Sequence, residues 1–399
     1  MYQAGYTLSS FFRIQFIFNS SFGNNLSLSI HLYCYTRHAI CIPIAQLNSN
    51  DKRFMTKSTP IYLDTFFGVV IMNVWYTEKI KKYEAYLMDI NERIVREVRK
   101  SFVGNQEIIH KVLITLLAGG HVLLEDIPGV GKTTLAVAFS KALDLSCKRV
   151  QFTPDVMPAD VTGFSIPRPD TRALEYQPGA VMCNFFLADE INRASTRTQS
   201  ALLEAMQENA VTVDGVTYEL PQPFMVIATQ NPAGSSGTQL LPESQTDRFM
   251  IRLSIGYPSE GAEMEMLLRK HGRNVASPTR HVTNSDELLA MRQAVSHTHI
   301  QKELYEYIIR LSRATRIHPL IAQGASPRCT AALAALSQAT AFILGRDYVV
   351  PDDVQSIYAD CTAHRLVLTP QAKREAVPPI DILADILEKT PFPRLSAKR

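Results

Sequence analysis

Aspartate and glutamate are absent from residues 1–50 of this 399-residue chain. The first eighty residues hold three acidic residues and six Lys or Arg, yet 15 of the 34 aromatics, in no steady period of two or 3.6. They do not read as a domain. A basic n-region and a small-residue cleavage site are also wanting, which argues against a signal peptide, and Phe66 to Tyr76 is too short an apolar run to span a bilayer. The expectation is a leader over 1–80 that is disordered or lies upstream of the natural start, with Met72 or Met88 as the initiator. An aromatic membrane-surface anchor is the alternative.

Other absences narrow the class further. The six cysteines, Cys34, Cys41, Cys147, Cys183, Cys329 and Cys361, show no C-x-x-C spacing, so no zinc framework is read and reduced thiols are expected. From residue 81 onward there are 35 basic and 35 acidic residues, so the basic footprint of a nucleic-acid binder is missing. No internal repeat stands out. What remains, 46% hydrophobic and 20% charged, is ordinary globular composition with room for two or three domains.

Against this background one stretch is chemically specific. Asp126 to Thr133 reads DIPGVGKT, just after the apolar run Val122-Leu123-Leu124. Gly129 and Gly131 let successive N–H groups turn inward toward an anion, and a helix starting near Lys132 adds the positive end of its dipole. Lys132 would reach the β- and γ-phosphates and the Thr133 hydroxyl would ligate Mg²⁺. The candidate nucleotide-binding set is Asp126, Pro128, Gly129, Val130, Gly131, Lys132, Thr133 and Thr134. Asp126 stands where the usual G-x-x-x-x-G-K-[ST] pattern has its first glycine. Read alone, the pattern could be a Gly-Lys-Thr in a surface turn.

A second element weighs against that. Phe185 to Ala188 is a continuous apolar run suited to a strand buried on both faces, and Asp189 and Glu190 close it. At the carboxyl end of a parallel strand, Asp189 is suited to hold Mg²⁺ with Thr133, and Glu190 to polarise an attacking water. An isolated Asp-Glu pair would more often be a solvated helix start. The two elements together predict nucleotide hydrolysis.

Strands are expected near 121–126, 149–153, 184–189, 224–229 and 250–255, alternating with helical segments, which predicts an α/β domain with a five-stranded parallel sheet. A hairpin is expected at Val211 to Leu220, turning at Asp214-Gly215. Helical pattern runs from Glu84 to Leu117, broken at Phe102 to Gly104, and over Thr196 to Asn209. Beyond 258 the pattern is helical throughout (Glu260 to Lys270, Asp286 to Ser296, Lys302 to Arg316, Thr330 to Leu344, Pro351 to Arg365) with no clear strand. The expected division is a nucleotide-binding domain at 81–257 and an all-helical lid at 258–399.

Several long stretches carry a resemblance. GGHVLLEDIPGVGKT (119–133), QFTPDVMPADVTG (151–163), FFLADEINRASTRTQSALLEAMQE (185–208), VTVDG (211–215), ATQNP (228–232), LPESQTDRF (241–249) and ASPR (325–328) resemble the MoxR family of AAA+ ATPases, a P-loop NTPase fold, over about residues 84–396. Asp126 agrees with that family, where an acidic residue is common. The resemblance implies that Asn231 is a sensor orienting the attacking water, Arg248 an arginine finger reaching a neighbouring subunit's site, and Arg328 a second sensor on the γ-phosphate. Read bare, Asn231 is a turn residue before Pro232 and Arg248 a surface ion-pair partner.

The resemblance also implies ATP and Mg²⁺ as ligands, a cytoplasmic homo-oligomer in a hexameric ring, a von Willebrand factor A partner, and a protein client that is remodelled or matured, sometimes one with a metal centre. The hairpin at Val211 to Leu220 and the loop from Pro154 to Tyr176 would face the pore or partner. Gln239-Leu240 and Thr246 depart from the family's usual Tyr-Pro and Leu. Two other classes stay open: an assembly switch that binds ATP with little turnover, and a DNA-acting motor, which the neutral charge after residue 80 disfavours.

Overall fold

The computed structural model describes residues 3–8, 12–20, 26–34, 89–126, 129–170, 174–230, 241–271 and 279–393. They divide into two compact units, Met1–Glu78 and Lys79–Arg399. In the first, Gln3–Leu8, Phe12–Ser20 and Leu26–Cys34 pair in that order as an antiparallel sheet. Leu26, Leu28, Ile30 and Leu32 alternate with Ser27, Ser29 and His31, a period of two that the irregular spacing of the aromatics had masked.

The second unit is built on five strands, of which the inner three carry apolar runs too continuous to have a wet face. Val122–Glu125, Cys147–Gln151, Phe185–Asp189, Met225–Gln230 and Ile251–Leu253 form one all-parallel sheet. In chain numbering the spatial order is 5-1-4-3-2. Successive side chains leave opposite faces. Val122, Leu124, Phe185, Leu187, Met225 and Ile227 pack on the side of helices Gln106–Leu117 and Lys132–Ala142, whereas Leu123, Phe186, Ala188, Val226 and Ala228 pack with Leu202, Leu203 and Met206 of helix Thr196–Glu208. Cys147–Gln151 is an edge strand, and its exposed, polar composition follows from that.

His121, just before the first strand, is buried and fastens the sheet to the helix on its second face. Its Nδ1 accepts the Val226 N–H at 3.0 Å, so Nε2 carries the proton and donates to the Met206 carbonyl at 3.0 Å. Burial pushes its pKa down to about 4, which keeps this neutral tautomer at physiological pH.

Helices Ser285–His297, Lys302–Ile317, Pro327–Ile343, Pro351–Thr362 and Pro379–Lys389 form the lid. Its apolar core is continuous with the first face of the sheet through Gln106–Leu117. Asn284 and Ser326 cap their helices by accepting the N–H three residues on, and proline opens three of the five helices. Three pieces are too short for periodicity to announce. The expected loop Pro154 to Tyr176 contains a helical turn, Pro158–Thr162, and most of a hairpin, Gly163–Pro167 with Leu174–Pro178; the lid, expected to have no strand, pairs Ile321–Gln323 with Val367–Leu368. The hairpin Ala210–Val213 with Val216–Glu219 turns at Asp214-Gly215. Among the described residues Cys147, Cys183, Cys329 and Cys361 are free, and no helix is long and apolar enough to cross a membrane.

Candidate functional site

The strand Val122–Glu125 ends at Asp126, and the chain turns through two left-handed glycines, Gly129 at φ 91° and Gly131 at φ 95°, before helix Lys132–Ala142 begins. A side chain at either would cost about 1–2 kcal/mol in that region. Among the described residues nothing lies within 4 Å of where a Cβ at Gly129 would sit. Lys132 is buried, and its Nζ donates to the Asp126 carbonyl at 2.7 Å. Burial lowers its pKa, while the charges of Asp126, Asp189 and Glu190 oppose the shift. These four residues therefore lie within one electrostatic neighbourhood.

The Asp126 carboxylate does something the sequence does not suggest. It accepts from Ser254 Oγ at 2.9 Å, the Ile255 N–H at 2.5 Å and the Gly256 N–H at 3.1 Å. It thereby clips the loop to the chain leaving the fifth strand toward helix Glu260–Lys270. Asp126→Ala is expected to lower stability by about 1–3 kcal/mol, because the buried Ile255 N–H loses its acceptor. The urea midpoint measures this, and a midpoint equal to the parent's refutes the clip.

Thr133 and Thr134 open onto a cleft of about 460 Å³ shared with Ser101, Lys141 and Arg269. Val130 packs against the core, and Pro128 lies outside the described residues.

Parallel register sets the acidic side. Gln151 pairs with Asp189, Ala188 with Ala228, and Gln230 with Glu125, so the strand ends are level. The Asp189 strand lies two places from the Lys132 loop, about 10 Å in strand spacings. Asp189 Oδ1 accepts from Thr229 Oγ1 at 2.6 Å, and Oδ2 accepts from Arg149 Nη2 at 2.6 Å. Glu190 is left-handed at φ 57° and ψ 47°, a strained state for a residue with a Cβ and one that turns its carboxylate off the strand line. Its N–H donates to Thr229 Oγ1 at 2.9 Å. Its Oε2 accepts from Gln151 Nε2 at 2.7 Å and Arg193 Nη1 at 2.9 Å. Thr229 thus holds both acids from the strand between them and the loop.

Thr229, Arg149, Gln151 and Arg193 were not singled out from the sequence. Arg149 and Gln151 carry a faint signal, since they alternate on one face of an edge strand, and Thr229 falls inside the ATQNP stretch without a chemical mark of its own.

The donor chemistry suits a hard cation. Hydroxyl and carboxylate oxygens are the ligands Mg²⁺ takes, and it is usually held by one or two carboxylates together with phosphate oxygens. Thr133 and Asp189 offer one hydroxyl and one carboxylate, a donor set of that kind.

Arg248 follows the short helix Glu243–Thr246 and is half-buried. Burial and then the Arg328 charge lower its pKa, with Glu204 opposing. The structure therefore brings Arg248 and Arg328 together. Among the described residues neither guanidinium makes a hydrogen bond or salt bridge. Asn231 lies outside the described residues.

A family model described as "ATPase family associated with various cellular activities (AAA)" matches residues 121–251, and one described as "AAA lid domain" matches 313–386. The chaperone MoxR1 of Mycobacterium tuberculosis is 37% identical over 316 residues, covering 77% of this chain and 83% of its own. The chain belongs to the MoxR family of AAA+ ATPases. The uncharacterized protein YeaC of Bacillus subtilis is 42% identical over 311 residues, 78% of this chain and 97% of its own. The crystal structure of a candidate ATPase from Cytophaga hutchinsonii superposes with a TM-score of 0.74 at 35% identity, covering 80% of this chain and 99% of that one. Lys132, Asp189, Glu190 and Arg248 of this MoxR-family chain fall inside the ATPase match, and Arg328 inside the lid match.

Proposed function

We propose that this MoxR-family protein binds ATP with Mg²⁺ between residues 81–257 and the lid at 258–399, hydrolyses it, and passes the resulting motion to a protein client. The observation that carries the reading is the convergence of the Lys132 charge with the carboxylates of Asp126, Asp189 and Glu190 at the carboxyl edge of the parallel sheet. In that reading the left-handed turn at Gly129 and Gly131 directs N–H groups at the phosphates, and Lys132 gives up its bond to the Asp126 carbonyl for the β- and γ-oxygens. Mg²⁺, held by Thr133 and Asp189, supplies charge neutralisation. Glu190 takes the proton of a water whose oxygen bonds to the γ-phosphorus while the bridge to the β-phosphate breaks, giving ADP and phosphate. Asn231 orients that water, and Arg328 senses the γ-phosphate from the lid.

Arg248, which finds no bond among the described residues of its own chain, completes a neighbour's site in a homo-oligomeric ring, of which a hexamer is the expected form. A chaperone-like task follows from the relative named chaperone MoxR1. A von Willebrand factor A partner, a client with a metal centre and a cytoplasmic location complete the reading. Lys132→Ala is expected to abolish ATP binding in a calorimetric titration with Mg²⁺ present. Retained affinity for the variant, or none for the parent chain, would sink the nucleotide reading.

A further inference from the structure

The segment that carries Arg248 is grasped from the lid by one side chain the sequence gives no reason to notice. Arg365 ends the short turn Ala363–Arg365 after helix Pro351–Thr362, and its side chain is 2% exposed. Its Nε donates to Asp247 Oδ1 at 2.8 Å. One terminal nitrogen donates to the carbonyls of Asp247 at 3.2 Å and Phe249 at 2.7 Å; the other donates to the Met250 carbonyl at 3.1 Å and to that of Cys361. A single planar guanidinium therefore holds the backbone on both sides of Arg248, a geometry lysine cannot copy. His364 adds a bond from Nε2 to the Phe249 carbonyl at 3.0 Å, and Thr246 Oγ1 donates to the His364 carbonyl at 3.4 Å.

The same Asp247 carboxylate also accepts from Ser326 Oγ, at 3.1 and 3.2 Å. Ser326 caps the helix whose second residue is Arg328. Asp247 is thus the shared partner of two lid elements, one leading to Arg328 and one to Arg365. A buried cation at a lid-to-core contact carries a desolvation cost that an apolar pair would not, so its value lies in fixing one geometry.

We propose that Arg365 is a positioning residue for Arg248: it makes the finger part of its own subunit's lid, so that the lid of one protomer sets how the finger is offered to the next. The proposal rests on the reading of Arg248 as acting on a neighbour's nucleotide. An Arg365 variant then has a sound site of its own and a misplaced finger. That is a defect no purely structural role would produce.

The test mixes subunits. Arg365→Gln alone is expected to lose kcat at least about tenfold with its nucleotide KM unchanged. Mixed with Lys132→Ala, whose site is dead but whose finger is intact, it is expected to recover activity at hybrid interfaces, as Arg248→Ala should in the same mixture. Recovery with Arg248→Ala but none with Arg365→Gln overturns the positioning role and leaves the finger reading standing. No recovery with either sinks both, and no turnover by the parent chain sinks the ATPase reading itself.

Arg365→Lys guards against a variant that fails to fold. It keeps the charge and a bond to Asp247 but cannot span the four carbonyls the guanidinium reaches, and it should retain the parent's melting temperature within a few degrees. Its kcat is expected to fall between those of the parent and Arg365→Gln. A kcat equal to the parent's overturns the proposal.

Discussion

Arg248→Ala is expected to cut steady-state ATP turnover by roughly 10³- to 10⁵-fold while leaving nucleotide affinity close to that of the parent. The magnitude follows from where the charge is kept. Its guanidinium is half-buried, is pressed by the Arg328 charge, and has no hydrogen bond or salt bridge among the described residues. Glu204 offsets only part of the effect of burial and of the Arg328 charge, and a terminal phosphate from the adjoining protomer is an anion of the right charge to offset the rest. Because binding is assigned to Lys132 and the glycine turn, the loss should fall on kcat and spare the dissociation constant. Steady-state kinetics beside a binding titration separate the two. A variant that turns over at the parent's rate would make Arg248 an ordinary surface cation.

Glu190→Gln is expected to lower turnover by roughly 10²- to 10⁴-fold and to accumulate the ATP-bound form. The substitution keeps the size of the side chain and its place at the strand end. It removes the ability to take a proton from water. Glu190 is turned off the strand line by its left-handed backbone, its N–H is tied to Thr229, and its Oε2 is reached by Gln151 and Arg193. Those donors would still meet an amide oxygen, so folding should be little changed. Single-turnover kinetics decide the matter, since an unimpaired chemical step in the variant would send the search for a base elsewhere.

The fold was legible wherever one residue type answers one demand. Apolar runs announced the three inner parallel strands because each is buried on both faces, and Asp214-Gly215 announced its hairpin because the turn needs positive φ. Gly129, Gly131 and Lys132 announced the loop for the same local reason. What escaped was relational. Asp126 bonds to Ser254, Ile255 and Gly256, some 130 residues away, and nothing in DIPG points there. Thr229 matters because parallel register sets it beside Asp189, and Arg365 because a lid turn meets backbone carbonyls over 110 residues earlier. The hairpin at Gly163–Pro167 and Leu174–Pro178 has strands of five residues, too few to show a period.

The three bonds to the Asp126 side chain have one more implication. The floor on which a phosphate would rest and the strap of chain that leads out to the lid hang from a single carboxylate, so neither can shift without tugging the other. A swing of the helical cap would be felt beneath the ligand as directly as above it.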